Sequence, residues 1–144
     1  MKQLNVLVIG NGQMGAAVTT ELQRRDHHVV ARVGSTGDEK GRSLVEILEQ
    51  DNIDIAIEFS LPHAAKENVL ATLQAKVPVV CGTTGWQPQE LEATAIENNV
   101  PLLHAANFSI GVAVMKKAAE IAAKSFRPFP DFEPAIFELS LIHI

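Results

Sequence analysis

The chain has 144 residues, enough for one domain with a real core and too few for two large ones. Hydrophobic residues make up 47% and charged residues 20%, a balance that excludes a disordered chain and fits an ordinary globular protein. The net charge of -5 argues against nucleic acid or an acidic membrane surface as the main partner, so an anionic ligand would have to be held locally, by backbone N–H groups and a helix end.

Strand and helix patterns alternate along the sequence. Residues 4–9 form a short, nearly continuous apolar run, as expected of a parallel strand covered on both faces. Met14, Val18 and Leu22 then recur at helical spacing, with Arg24 and Arg25 near the negative end of the helix dipole. A second strand is predicted at 29–33 and a shorter helix at 43–50. The third strand spans 53–59, and Ser60 is expected to cap the helix that follows, with Pro62 in its first turn. That helix carries Ala65, Val69 and Leu73 on one face. A strand at 77–81, a helix at 89–98 and a strand at 100–104 come next. A long helix at 110–125 has Val112, Met115, Ala119 and Ala122 in register, capped by Ser109. A loop rich in Phe and Pro leads to a last strand at 135–139, with Pro134 marking its start. Such alternation implies right-handed crossovers and an α/β fold with a doubly wound parallel sheet, read as one domain.

Gly10-Asn11-Gly12-Gln13-Met14-Gly15 lies directly between the first strand and the first helix. In that context a GxGxxG string is the Rossmann-type dinucleotide signature: Gly10 for the tight turn, Gly12 for backbone approach to a pyrophosphate, Gly15 for helix-on-sheet packing. The second strand usually ends in an acid that bonds the adenine ribose. Here Gly34-Ser35-Thr36-Gly37 follows, with no acid until Asp38. Repulsion of a ribose 2′-phosphate is thereby reduced, and Ser35 and Thr36 are candidate donors to it. Arg32 either assists or points away. NADPH is expected to be accepted beside NADH.

Ligands in such sheets bind at the carboxyl ends of the strands. Three further clusters fall there: Phe59-Ser60, Gly82-Thr83-Thr84-Gly85 and Ala105-Ala106-Asn107-Phe108-Ser109. Gly82-Thr83-Thr84-Gly85-Trp86 and the Ala106-to-Val112 stretch, together with the early glycine turn, resemble the cofactor domain of dihydrodipicolinate reductase. That family reduces a cyclic intermediate on the diaminopimelate and lysine pathway. The resemblance runs from about residue 4 to residue 138. It implies that Gly10, Asn11, Gly12, Gln13, Met14 and Gly15 hold the pyrophosphate of NADPH or NADH. Phe59 and Ser60 would flank the cofactor, with Gly82, Thr83, Thr84, Ala105, Ala106, Asn107 and Phe108 lining its ribose and nicotinamide end. Gly34 stands where many members have an acid. A small dicarboxylate substrate and a homo-oligomeric full-length protein are implied as well.

The family's catalytic segment, a His-His pair followed by a lysine and an Asp-Ala-Pro-Ser-Gly-Thr stretch, is not found, so no catalytic residue is assigned and His143 is not given that role. Residues 1–138 read as the NAD(P)-binding domain, while 139–144 resemble a translated sequencing-adapter end and are expected to be a non-native tail.

Several tempting residues are read more plainly. His27 and His28 are expected in a solvated turn, His63 on the surface near the ligand edge, and His104 as a hydrogen-bonded core residue. Glu58 is either structural or a source of pocket polarity, and Asp38 to Arg42 is a solvated loop. The single Cys81 has apolar neighbours and no zinc-type spacing, so a buried inert thiol and no metal site are expected. No cationic leader precedes the first strand, and no apolar run approaches the roughly 20 residues that span a bilayer, so a cytoplasmic protein without membrane contact is expected. Competing readings are another small reductase, such as an aspartate dehydrogenase or a sugar oxidoreductase, and a non-catalytic dinucleotide-sensing module.

Overall fold

The computed structural model describes residues 2–132 and residue 135. They divide into two compact units, Met1–Ala106 and Asn107–Ile144.

In the first unit an unbroken apolar run forces a strand to be covered on both faces. That strand is β1 (Asn5–Ile9), where Val6, Leu7, Val8 and Ile9 are all at most 2% exposed. β2 (His28–Val33) and β3 (Ile55–Glu58) pair with it on either side, and β4 (Val79–Cys81) and β5 (Leu102–His104) follow β3. All four pairings are parallel, in the order β2-β1-β3-β4-β5. The chain first steps from β1 to β2 and then crosses back to β3, so right-handed crossovers place α1 (Gln13–Arg24) on one face and the next three helices on the other. This is the expected doubly wound sheet.

α2 (Leu44–Gln50) starts with a reciprocal capping box: Ser43 Oγ accepts from Glu46 N–H, and the Glu46 carboxylate accepts from Ser43 N–H at 2.7 Å. α3 (Pro62–Gln74) buries Ala65, Val69 and Leu73, as its sequence spacing predicts, against β3 and β4. α4 (Glu92–Asn98) is preceded by a 3₁₀ turn at Pro88–Leu91, so the helix predicted at 89–98 is two elements. It ends on Asn99 in the left-handed conformation.

β1 begins one residue later than predicted, and β3, β4 and β5 each begin two residues later. Pro78 and Pro101 have no N–H to offer, so the 77–81 and 100–104 runs pair only from Val79 and Leu102. At β3, Asp54 turns its carboxylate to Asn5 N–H (2.7 Å), and regular pairing starts at Ile55. Ser60 does not cap α3. The N-cap position belongs to Leu61, with no side-chain cap, because the Ser60 hydroxyl is used by Glu58.

In the second unit, Ser109 Oγ accepts from Val112 N–H and caps α5 (Ile110–Phe126), close to the predicted span. Glu120 pairs with Lys117 at 3.0 Å and Lys124 at 2.5 Å along one exposed face. The Phe126 and Phe129 rings lie 5.7 and 6.3 Å from the Phe132 ring. The strand predicted at 135–139 and the tail at 139–144 fall outside the described residues, apart from Ala135.

Leu7, Ile47, Val69, Leu73, Val79 and Cys81 form the centre of the core. Burial of each large aliphatic side chain contributes about 1.5–3 kcal/mol. Leu73→Ala should therefore destabilise the protein by about 2–5 kcal/mol in urea unfolding, whereas Ile96→Ala should stay within about 0.5 kcal/mol. Ile96 is 79% exposed.

Candidate functional site

The ladder hydrogen bonds do not stop where the strands end. Gly10 N–H donates to Val33 O (2.8 Å), Phe59 N–H to Ile9 O (2.8 Å), Gly82 N–H to Glu58 O (2.9 Å) and Ala105 N–H to Cys81 O (3.2 Å). Gly34, Gly10, Phe59, Gly82 and Ala105 are thereby aligned along one edge of the sheet, the carboxyl edge.

The first turn is packed against this edge without slack. Gly10 has φ +124°, and a Cβ there would lie 2.1 Å from Phe59 O. A Cβ on Gly15 would lie 2.0 Å from Gly10 O, which is the close helix-on-sheet approach expected of that glycine. A Cβ on Gly12 would meet nothing within 4 Å, so this glycine faces open space. A Cβ on Gly82 would strike the Phe59 ring at 2.1 Å, so Gly82 makes room for that ring.

Beneath Phe59, the wholly buried Glu58 carboxyl accepts from Ser60 N–H (3.0 Å), the Ser60 hydroxyl and Cys81 Sγ (3.0 Å). Asn68 Nδ2 of α3 donates to Ser60 Oγ at 3.0 Å. Glu58 is thus a structural acceptor that ties β3, β4 and α3 together. Burial, reinforced by the Glu58 carboxyl, pushes the Cys81 thiol up to about 12. The inert-thiol expectation holds.

Thr83 is held by its backbone, whose carbonyl accepts from Trp86 Nε1 (2.9 Å) and lies 3.1 Å from His104 Nε2. His104 is thus hydrogen-bonded as the sequence suggests, but it is half-buried and not a core residue. Thr83 Oγ1, by contrast, is the one buried side-chain oxygen without a hydrogen-bond partner among the described residues.

The loop after β2 corrects one expectation. The Asp38–Arg42 cluster is an ordered knot, and the Asp38 side chain is only 2% exposed. Asp38 accepts from the N–H groups of Lys40 and Arg42 and from the Arg42 guanidinium, which reaches on to Asp51 at 2.8 Å. Burial raises the Asp38 pKa, yet these donors outweigh it and hold the carboxyl below its ordinary range.

Two cavities open along the carboxyl edge and share Phe59 and Ser60. One, about 440 Å³, is lined by Gly10, Asn11, Gly12, Gly34, Ser35, Thr36 and His63 among others. The other, about 200 Å³, is lined by Met14, Pro62, Gly82, Thr83 and Thr84 as well. His63 is exposed at the rim of the first, as its sequence position suggests. Gln13 and Ala106 line neither cavity. Asn107 and Phe108 belong to the second unit, where Asn107 Oδ1 accepts from Ser109 N–H (2.7 Å). A larger cavity of about 740 Å³ between α4 and β5 is lined by Gln89, Glu92, Asn99 and His104 together with Ile96 and Leu102, and includes none of the glycine-turn residues. The Asn68 bridge and the Trp86 anchor had no signal in the sequence, because both act across elements. Among the described residues no His, Cys, Asp and Glu group could hold a metal ion, and no helix is long and apolar enough to cross a membrane.

Residues 4–108 match the family described as dihydrodipicolinate reductase, N-terminus. This chain belongs to that family. A 4-hydroxy-tetrahydrodipicolinate reductase from Acinetobacter baumannii (strain AYE) is 40% identical over 127 residues, covering 84% of this chain and 45% of that protein. One from Christiangramia forsetii is 30% identical, covering 94% of this chain and 55% of its own length. The chain therefore spans about half the length of these curated relatives. Among solved structures, a dipicolinate-bound dihydrodipicolinate reductase from Paenisporosarcina sp. TG-14 superposes with a TM-score of 0.66 at 26% identity, covering 85% of this chain and 54% of that one. GenD2 from gentamicin A biosynthesis, in complex with NAD, has a TM-score of 0.64 at 21% identity, covers 85% of this chain and 40% of that one, and shows the shared fold alone.

Within this dihydrodipicolinate reductase domain Cys81 is a direct reporter of the Glu58 network. With the thiol raised from 9.0 to about 12, its contribution to stability is present below pH about 9 and is lost as pH rises toward 12. Iodoacetamide at pH 8 should leave the folded chain unmodified and label one site per chain in urea. Rapid labelling of the folded chain would place the thiol elsewhere.

Proposed function

We propose that this chain is the dinucleotide-binding part of an NAD(P)H-dependent 4-hydroxy-tetrahydrodipicolinate reductase, an oxidoreductase of diaminopimelate and lysine biosynthesis acting in the cytoplasm. The carrying observation is the contrast among the turn glycines. Gly10 and Gly15 are filled by neighbouring backbone, while Gly12 opens onto a cavity at the amino end of α1. A pyrophosphate fits there, because the first N–H groups of α1 lack intrahelical partners and point outward. The unpartnered Thr83 Oγ1 at the second cavity is a further group that a ligand would satisfy.

In this reading Gly10 to Gly15 and Gly34 hold the phosphate and adenosine half. Phe59, Ser60, Gly82, Thr83, Thr84, Ala105 and Ala106 serve the ribose and nicotinamide half. The dinucleotide supplies a hydride when bound, and the residues here bind it, orient it and exclude water from it. The proton donor and the cationic partners of the dicarboxylate substrate lie in the part of the reductase that this chain does not span, as do its subunit contacts. Membership of the family favours this over an aspartate dehydrogenase, a sugar oxidoreductase or a free-standing sensor.

Titration of NADH and NADPH against the native chain and Gly12→Val tests the site. The native chain should bind, and the variant should fold normally but bind weakly, because its added side chain enters the ligand's space. Equal affinity would remove the phosphate turn. In a steady-state assay beside a full-length relative, the chain should show negligible turnover, since loss of general acid catalysis alone costs about 10²–10⁴-fold. Comparable rates would place the proton donor within these residues.

A further inference from the structure

With no acid at the end of β2, where Gly34 stands and the first acid is Asp38, the adenine ribose of the proposed dinucleotide lacks its usual partner, and the structure places another group where that partner would begin. A Cβ on Gly34 would lie 2.4 Å from Asn11 Nδ2, 2.8 Å from Asn11 Cγ and 3.2 Å from Asn11 Cβ. The Asn11 side chain therefore rests on the Gly34 α-carbon and fills the space that a side chain at the end of β2 would enter. The Gly10 N–H bond to Val33 O (2.8 Å) locks the two segments together, so this contact is set by the sheet itself.

Asn11 is exposed and no hydrogen bond engages its carboxamide among the described residues. It borders the 440 Å³ cavity beside Gly12, Ser35 and Thr36. It also borders a neighbouring cavity of about 520 Å³ that carries both cations, Arg32 and Lys40, and acids, Asp38 and Glu39. Arg42, the other cation of that loop, is committed to Asp38 and Asp51.

We propose that Asn11 reads the ribose 2′ position of the dinucleotide in place of a strand-end carboxylate, and thereby admits both NADH and NADPH. This rests on the dinucleotide site proposed above. A carboxamide accepts from a 2′-hydroxyl through its oxygen and donates to a 2′-phosphate through its NH₂, and it carries no charge to repel the phosphate. Gly34 is then required twice over: it supplies no acid, and it leaves the room in which Asn11 lies. A side chain at position 34, including the aspartate that would restore the usual acid, displaces Asn11 before it reaches the ribose.

The test is titration of NADH and NADPH, at low and high salt, against the native chain and Asn11→Asp, Asn11→Ala, Gly34→Ala and Ser35→Asp. The native chain should bind both. Asn11→Asp keeps the shape but exchanges a donor for a charged oxygen, so the NADPH-to-NADH ratio of dissociation constants should rise at least about tenfold. Salt should narrow that gap. Asn11→Ala should weaken both nucleotides, and Gly34→Ala should resemble it by pushing the carboxamide aside. The exposed Asn11 variants keep the test decisive even where Gly34→Ala unfolds the chain. An unchanged ratio in Asn11→Asp, a larger shift from Ser35→Asp, or a native chain that binds only one nucleotide overturns the proposal while the dinucleotide site stands. Failure of the native chain to bind either nucleotide overturns the site, and this assignment with it.

Discussion

The peptide backbone of the first turn lies directly on the end of β3, and most of the carboxyl edge follows from that contact. Gly10 leaves no room for a Cβ beside Phe59 O, and Gly15 leaves none beside Gly10 O. The Phe59 ring in turn lies over the Gly82 α-carbon. Four segments thus stack through positions that lack side chains, which brings α1, the ends of β1 and β3 and the loop after β4 to a common edge. Overpacking at Gly10 or Gly15 is costly because the opposing atoms are backbone and cannot rotate away. Only Gly12 in this row faces outward, and the site opens there.

The buried polar groups behind this edge are as constrained as the glycines. A carboxyl group taken out of water costs several kcal/mol unless donors surround it. Glu58 meets three: an N–H, a hydroxyl and a thiol, drawn from its own strand end and from β4. The bonds fix Ser60 at the wall of both cavities and leave the Cys81 thiol unreactive. Thr83 shows the opposite arrangement, with its carbonyl engaged by Trp86 and His104 and its hydroxyl unengaged. One polar set closes the structure, and the other is left available at a cavity.

Anion binding on a chain of net charge -5 requires that attraction be local. The charged groups near the β2 edge do not supply it simply. Arg42 is shared between two acids, Asp38 and Asp51, and the three fix the path of the loop, while Asn11, a neutral side chain, occupies the position next to Gly34. Backbone N–H groups at the start of α1 are a source beside Arg32 and Lys40, and they act without regard to net charge.

The alternation of apolar runs and helical spacings, with the glycine turn between the first two elements, was sufficient by itself for the doubly wound sheet and the residues along its carboxyl edge. Both depend on local periodicity and on backbone needs that particular residues announce: the apolar 4–9 run could only be a covered strand, and Gly10 and Gly15 mark close approach. Family membership was likewise legible, because Gly82-Thr83-Thr84-Gly85-Trp86 and the Asn107-Phe108-Ser109 stretch are contiguous strings. Side-chain partnership was not. That Cys81 of β4 and Asn68 of α3 meet the Glu58–Ser60 pair, and that Asn11 lies against Gly34, are decided by segments distant in sequence meeting at one edge, while Asp38 is held within its own loop by Arg42. The strand starts at Val79 and Leu102 were set by which N–H groups a neighbouring strand could use. Hydrophobic pattern is a property of each segment alone, whereas hydrogen-bond satisfaction is a property of the assembled edge, and only tertiary structure decides it.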